Sequence, residues 1–206
     1  MALTKIRGNG IGTLGDGTTN DTKILFDGNA QDYHIGLDDS SDSLVIGKGS
    51  ALGTTPAITI DSSQRVTRSH IPSFFVKGAF SWVDLGSAST TYFKDSVTTV
   101  NVLSNVGSHF DTSTGKFTAP VAGIYQFNVC LYFNNTGDTA HYISFLKNGS
   151  NYQSVLGFYQ NDDNAYPDNT KSLSLTFDLN ASDTIEAQAT QDVYGGHSFF
   201  NGYLVG

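Results

Sequence analysis

Five histidines, one cysteine and 19 carboxylates are the groups in this 206-residue sequence with the chemistry to catalyse or to hold a metal. His34, His70, His109, His141 and His197 are scattered, with no H-x-x-x-H pair and no cysteine beside them, so the usual zinc spacings are not met. Gly10-Ile11-Gly12-Thr13-Leu14-Gly15 matches G-x-G-x-x-G. A dinucleotide loop needs a strand before it and a helix after it. Here the surrounding residues 2–20 are rich in Gly, Thr and Asn without periodicity, so the match reads as an extended segment. Neither a G-x-S-x-G elbow nor a phosphate loop occurs. The expectation is a binding protein, not an enzyme.

Binding chemistry is better represented. The loop Gln160–Thr170, reached through Tyr159, places Tyr166 among Asn161, Asp162, Asp163 and Asn164. Rings cover the apolar faces of sugars while amides and carboxylates bond their hydroxyls, so this loop is the first candidate for receptor contact. Asp192–His197, with Tyr194 and His197, is the second. Asp38-Asp39-Ser40-Ser41-Asp42 and Asn161–Asn164 also cluster hard oxygen ligands, but neither has the glycine and terminal glutamate of an EF-hand. Both read first as acidic turns facing water; a calcium ion, if bound, is expected at Asp162 and Asp163.

Net charge is −8, which argues against nucleic acid and against an anionic membrane surface as partners. No apolar run approaches the roughly 20 residues of a membrane-spanning helix. Met1–Gly8 lacks an apolar core of the kind a secretory signal has, so synthesis and folding in a cytoplasm are expected. Cys130 sits in an apolar strand as a small buried hydrophobe.

The elements that must position these groups are strands. The 22 Gly, 14 Phe and 10 Tyr with low charge make an all-β composition. Four short apolar runs, at Ile24–Phe26, Tyr33–Leu37, Leu44–Ile46 and Ala57–Ile60, are separated by turns. Strands this short bury little surface alone, so residues 22–69 are expected to form a stalk completed by three copies around an axis. From Phe110 to Val129 the pattern is turn, anchor, strand. Asp111–Gly115 is turn chemistry, Phe117 an anchor, and Tyr125, Phe127, Val129, Leu131 and Phe133 alternate on one face. Further strands are expected at Ala79–Val83, Val97–Leu103, His141–Lys147, Tyr152–Tyr159, Leu173–Leu179, Ile185–Thr190 and Phe199–Val205. Asn148-Gly149 marks a two-residue hairpin. Eight to ten strands of this kind suit a jelly roll.

The spacing of Asn105, Phe110, Phe117, Gly123, Tyr125 and Phe127, with a closing strand Ser198–Leu204, resembles the globular head of complement C1q and its relatives among tumour-necrosis-factor-like jelly rolls. Thr99 and Val129 stand where that signature has aromatic residues. The resemblance implies a homotrimeric jelly-roll head over 70–206, with Phe110, Phe117, Gly123, Tyr125, Phe127, Phe199, Gly202 and Tyr203 as core and trimer anchors. Heads similar to this one can also hold calcium near the trimer axis, through loop carboxylates from neighbouring subunits. The strings Asp27–Gly36 and Pro56–Asp61, and the opening Met1–Ile6, are similar to bacteriophage fibre proteins.

Together these imply a trimeric virion fibre or appendage. Residues 1–21 would dock onto other virion proteins, 22–69 form the stalk, and 70–206 bind a glycan or protein on the host surface. The alternatives are a capsid decoration or head-fibre (cement) protein and a soluble lectin-like protein.

Overall fold

Period-two alternation of apolar and polar residues is the dominant local signal, and a computed structural model, which describes residues 14–15, 17–134, 141–158 and 168–206, turns it into strands throughout. No α-helix occurs among the described residues. The chain divides into two compact units, Met1–His70 and Ile71–Gly206.

The described part of the first unit is an antiparallel meander of five strands in sequence order: β1 Thr22–Phe26, β2 Tyr33–Asp38, β3 Ser43–Lys48, β4 Pro56–Ile60 and β5 Val66–Thr67. The last of these is not among the four expected runs; Thr59 and Ile60 recruit it by pairing with Thr67 and Val66. One sheet face buries His34, Asp38, Ser43 and Val45. The 49–55 segment folds across this side, where the Gly49 carbonyl lies 2.8 Å from His34 Nδ1 and the Lys48 amide donates to the Thr55 carbonyl. The acidic turn after β2 is bonded within itself: Ser40 Oγ donates to Asp38 Oδ1 at 2.6 Å, and Asp42 takes φ 49° to re-enter the sheet. That hydroxyl is the main reason the Asp38 carboxyl sits below its ordinary range.

The second unit is a jelly-roll sandwich. Its strands are β6 Ser73–Lys77, β7 Trp82–Asp84, β8 Thr90–Thr91, β9 Asn101–Val106, β10 Phe110–Asp111, β11 Lys116–Thr118, β12 Gly123–Asn134, β13 His141–Lys147, β14 Ser150–Phe158, β15 Asp168–Leu179, β16 Thr184–Ala189, β17 Asp192–Tyr194 and β18 Phe199–Leu204. One sheet runs β10-β11-β16-β13-β14 with β8 on β16; the other runs β7-β17-β12-β18-β6-β9 with β15 on the free side of β12. Two expected strands move. The first begins only at Trp82, because Ala79–Ser81 bends, the Ser81 amide donating back to the Ala79 carbonyl. The second begins at Asn101, because Val97 and Thr98 close a turn onto the Lys94 carbonyl.

β12 sets the layout. Tyr125, Phe127, Val129, Leu131 and Phe133 point inward and are all but fully buried, while Gln126 and Asn128 face outward. Phe127 lies at the centre, in ring contact with Phe74, Phe117, Phe145, Phe177 and Phe200 from both sheets. Gly202 is obligatory opposite it: a Cβ there would lie 2.3 Å from Phe127 Cδ1. A Cβ at Gly123 would meet Leu204 Cδ1 at 2.8 Å. Asn105 clamps Phe110, its Nδ2 donating to the Phe110 carbonyl at 2.8 Å and its Oδ1 accepting the Phe110 amide at 3.1 Å. Asn148 (φ 53°) and Gly149 (φ 74°) make the β13–β14 hairpin with both residues left-handed, as a type I′ turn requires.

Two expected core anchors lie elsewhere. Phe200 and Gly202 take the inward positions of β18, so Phe199 and Tyr203 must point out of the sandwich. Phe199 packs edge-on against Phe75 across the outer face, and Tyr203 is 45% exposed. Cys130 is buried as a free thiol.

Candidate functional site

The second candidate segment, expected as a loop, is instead strand β17 followed by a 3-10 turn, Gly195–His197. Its neighbour explains this. Trp82-Val83-Asp84 and Asp192-Val193-Tyr194 are mirror-image tripeptides, and antiparallel pairing sets Trp82 opposite Tyr194, Val83 opposite Val193 and Asp84 opposite Asp192. The valines turn inward; Val193 is fully buried. The aromatics and the carboxylates therefore share the outer face.

On the other side of β17, Phe133 pairs with Val193, and extending that register puts Tyr132 opposite Tyr194. Tyr132, Tyr194 and Trp82 thus occupy one row of strand positions across β12, β17 and β7, and their rings gather into a cluster in which Trp82 lies 5.8 Å from Tyr132. Ring centroids are 6.2 Å apart for Tyr132–Tyr194 and 5.2 Å for Tyr194–Trp82. His197 closes the row from the turn, 5.2 Å from Tyr132 and 5.1 Å from Tyr194. The four side chains line a shallow depression of about 310 Å³, at the low end of ligand-site volumes. Trp82 is 44% exposed, Tyr132 and Tyr194 are half-buried, and His197 is exposed.

Two residues further along each strand, about 7 Å away, Asp84 and Asp192 stand directly opposite one another. Like charges in that position oppose pairing. Asp84 is also fixed locally, its Oδ1 accepting the Gly86 amide at 2.8 Å.

Backbone packing holds the row in place. At Cys130–Phe199 the β12–β18 ladder ends, and the Ser198 side chain takes over. Fully buried, its Oγ accepts the Tyr132 amide at 3.0 Å and donates to the Tyr194 carbonyl at 2.8 Å. Gly195 and Gly196 let the bent 79–81 segment lie against the turn. A Cβ on Gly195 would be 2.3 Å from the Ala79 carbonyl oxygen, and one on Gly196 would be 2.5 Å from Phe80 Cδ1.

The site lies at one end of the unit. Tyr203 of β18 pairs with Ser73 and with Gln126, so the point of chain entry at residue 71 and the C-terminal strand end share the opposite end. Six residues of β12 separate Gln126 from Tyr132, about 20 Å at strand rise.

Of the residues expected to bind, Tyr194 and His197 are brought together here. Tyr159, Asn161, Asp162, Asp163, Asn164 and Tyr166 lie outside the described residues. Trp82, Tyr132 and Asp84 are new, while Asp192 belongs to the second candidate segment. The signal that finds Trp82 and Asp84 is the mirror pair W-V-D and D-V-Y, which becomes meaningful only once the two are paired. No cluster of three or more metal-ligating side chains occurs among the described residues.

A model of the C1q domain matches residues 79–205. Among solved structures, the globular domain of zebrafish complement 1qA protein aligns at 18% identity and TM-score 0.46, over 66% of this chain and 98% of that one. Eiger TNF from S. frugiperda aligns at 13% identity and TM-score 0.48, covering 66% and 93%. Murine APRIL aligns at 12% identity and TM-score 0.42, covering 66% and 99%.

Proposed function

The chain belongs to the C1q domain family, and on that premise we propose that it is a homotrimeric receptor-binding protein whose aromatic row contacts a cell-surface glycan. The row itself carries the reading. Three rings gathered on one sheet face, with carboxylates one step along, offer a sugar apolar contact and hydrogen-bond acceptors for its hydroxyls. The site is at the end of the unit remote from residue 71, where a tethered head meets a target. Each contact is small, and three copies multiply it.

Trimer formation is supported by the rest of the same outer face. Near the chain-entry end it exposes Ile124, Tyr203 and Val205, and between lies a polar ladder: Gln126 donates to Ser174, Ser174 to Asn128, and Asn128 to Asn201. A bonded ladder flanked by apolar groups suits burial against another protein surface.

In the finer form of the proposal the protein is a bacteriophage fibre or capsid appendage made in the host cytoplasm. Residues 1–21 attach it to other virion proteins, and the head binds the host. The likeness of residues 27–36 and 56–61 to fibre segments supports this form. A capsid decoration protein and a soluble lectin-like protein are its competitors; antibody-gold labelling of intact particles separates the three by tail, capsid or no labelling.

The binding claim is tested by titrating the full chain onto immobilised bacterial surface polysaccharides. Stacking contributes about 0.5–1.5 kcal/mol per ring, so Trp82→Ala or Tyr194→Ala in all three copies is expected to weaken retention roughly tenfold or more. Retention unchanged in both variants, or no retention by the parent chain on any glycan, overturns it.

A further inference from the structure

The sheet of the first unit has two unlike faces. One is covered by the 49–55 segment, as described above. On the other the register aligns Ile24 with Ile35, Phe26 with Tyr33, Leu37 with Leu44, and Ile46 with Ile58. This face is apolar; Leu14 lies beside Ile24, Ile35, Leu37 and Leu44, and the face still leaves Phe26 58% exposed, Leu37 54% and Tyr33 53%. Four strands at 4.8 Å spacing and about five residues of rise give a patch of roughly 19 by 17 Å, about 300 Å² in projection before side-chain relief is added. A monomer seldom leaves so much contiguous apolar surface in water.

We propose that this face is an interface with the corresponding faces of other copies of the chain, which together form a core that one copy lacks. The proposal rests on the homotrimer proposed above. Two observations select a copy of the chain as the occupant. No carboxylate stands in the facing rows of β1–β4, although the chain carries a net charge of −8; Asp27, Asp32, Asp39 and Asp42 lie in the connections instead. A face clear of acid lets copies of so acidic a chain meet without carboxylates set against one another. The tether is also short. Residues 68–72 alone separate β5 from β6, so three associated second units hold three first units at an effective concentration on the order of millimolar.

The test is hydroxyl-radical footprinting of Phe26, Tyr33 and Leu37 on the full chain, with the mass measured by sedimentation in the same buffer. The expected result is a trimer in which these side chains react roughly tenfold more slowly than exposed Phe80, because burial excludes water. Leu37→Lys is expected to make Phe26 and Tyr33 reactive while the second units keep the mass trimeric. A trimer with a reactive face overturns this interface and leaves the homotrimer standing. A monomer with a reactive face overturns both. A protected face in a monomer, or one still protected in Leu37→Lys, shows that the chain's own N-terminal segment covers it and overturns the inference.

Discussion

Replacing Ser198 by alanine probes the candidate site without touching any of its aromatic side chains. Its hydroxyl is fully buried and makes two bonds, from the Tyr132 amide at 3.0 Å and to the Tyr194 carbonyl at 2.8 Å. Alanine fits the same space but leaves a backbone donor and a backbone acceptor facing each other with nothing between. An unsatisfied buried group costs about 1–3 kcal/mol, and the carbonyl, with two lone pairs, suffers less than the amide. The expected loss is about 2–3 kcal/mol, a factor of roughly 30 to 150 in the unfolding equilibrium. Ser198→Cys, a weak donor of similar shape, is expected to lose less. Trp82 is the only tryptophan and lies 5.8 Å from Tyr132, so its fluorescence reports on this site during urea denaturation. Protein concentration must be held fixed, because association contributes to apparent stability. Near-UV circular dichroism of the folded variant should also change as the rings lose their fixed packing. A loss below about 0.5 kcal/mol with an unchanged near-UV spectrum would refute the reasoning.

Two further outcomes are expected. Gly202→Ala drives a methyl group to 2.3 Å from Phe127 Cδ1 and 3.0 Å from Phe74 Cε1, and Phe127 is enclosed by other rings. Overpacking of this kind costs about 1–3 kcal/mol or more, read as a lower urea midpoint. Asp183 accepts hydrogen bonds from Asn148, Lys147 and the Asn180 amide, which hold its carboxyl at about 2. Because this folded value lies below the unfolded one, its stabilisation is complete above about pH 4 and disappears as pH falls towards 2. Asp183→Asn should flatten that part of the acid stability curve. An identical curve would contradict the assignment.

Much of the architecture is legible in local pattern. Alternation along Tyr125–Phe133 names the buried face of β12, and Asn148-Gly149 names the β13–β14 hairpin, because side-chain period and turn chemistry are properties of adjacent residues. The same alternation along β18 makes inward places of Phe200 and Gly202, whereas the resemblance to the C1q head marks Phe199 and Tyr203 as anchors too. Tyr194 and His197 are recognisable as candidate binding residues by type. Their partners are not, since Trp82 and Tyr132 enter the site through pairings between strands distant in sequence.

The amino-acid order alone thus determined most of the strands and the buried face of the central one, but not β5, β8 or β17. Tertiary structure decided which strands lie side by side, and with that the row Tyr132–Tyr194–Trp82 and the carboxylate pair beside it. The physical reason is that alternation is satisfied by any register of the correct parity. The register actually adopted depends on the whole sandwich: on Ser198 bridging where the ladder ends, and on two glycines that let the 79–81 segment approach the turn.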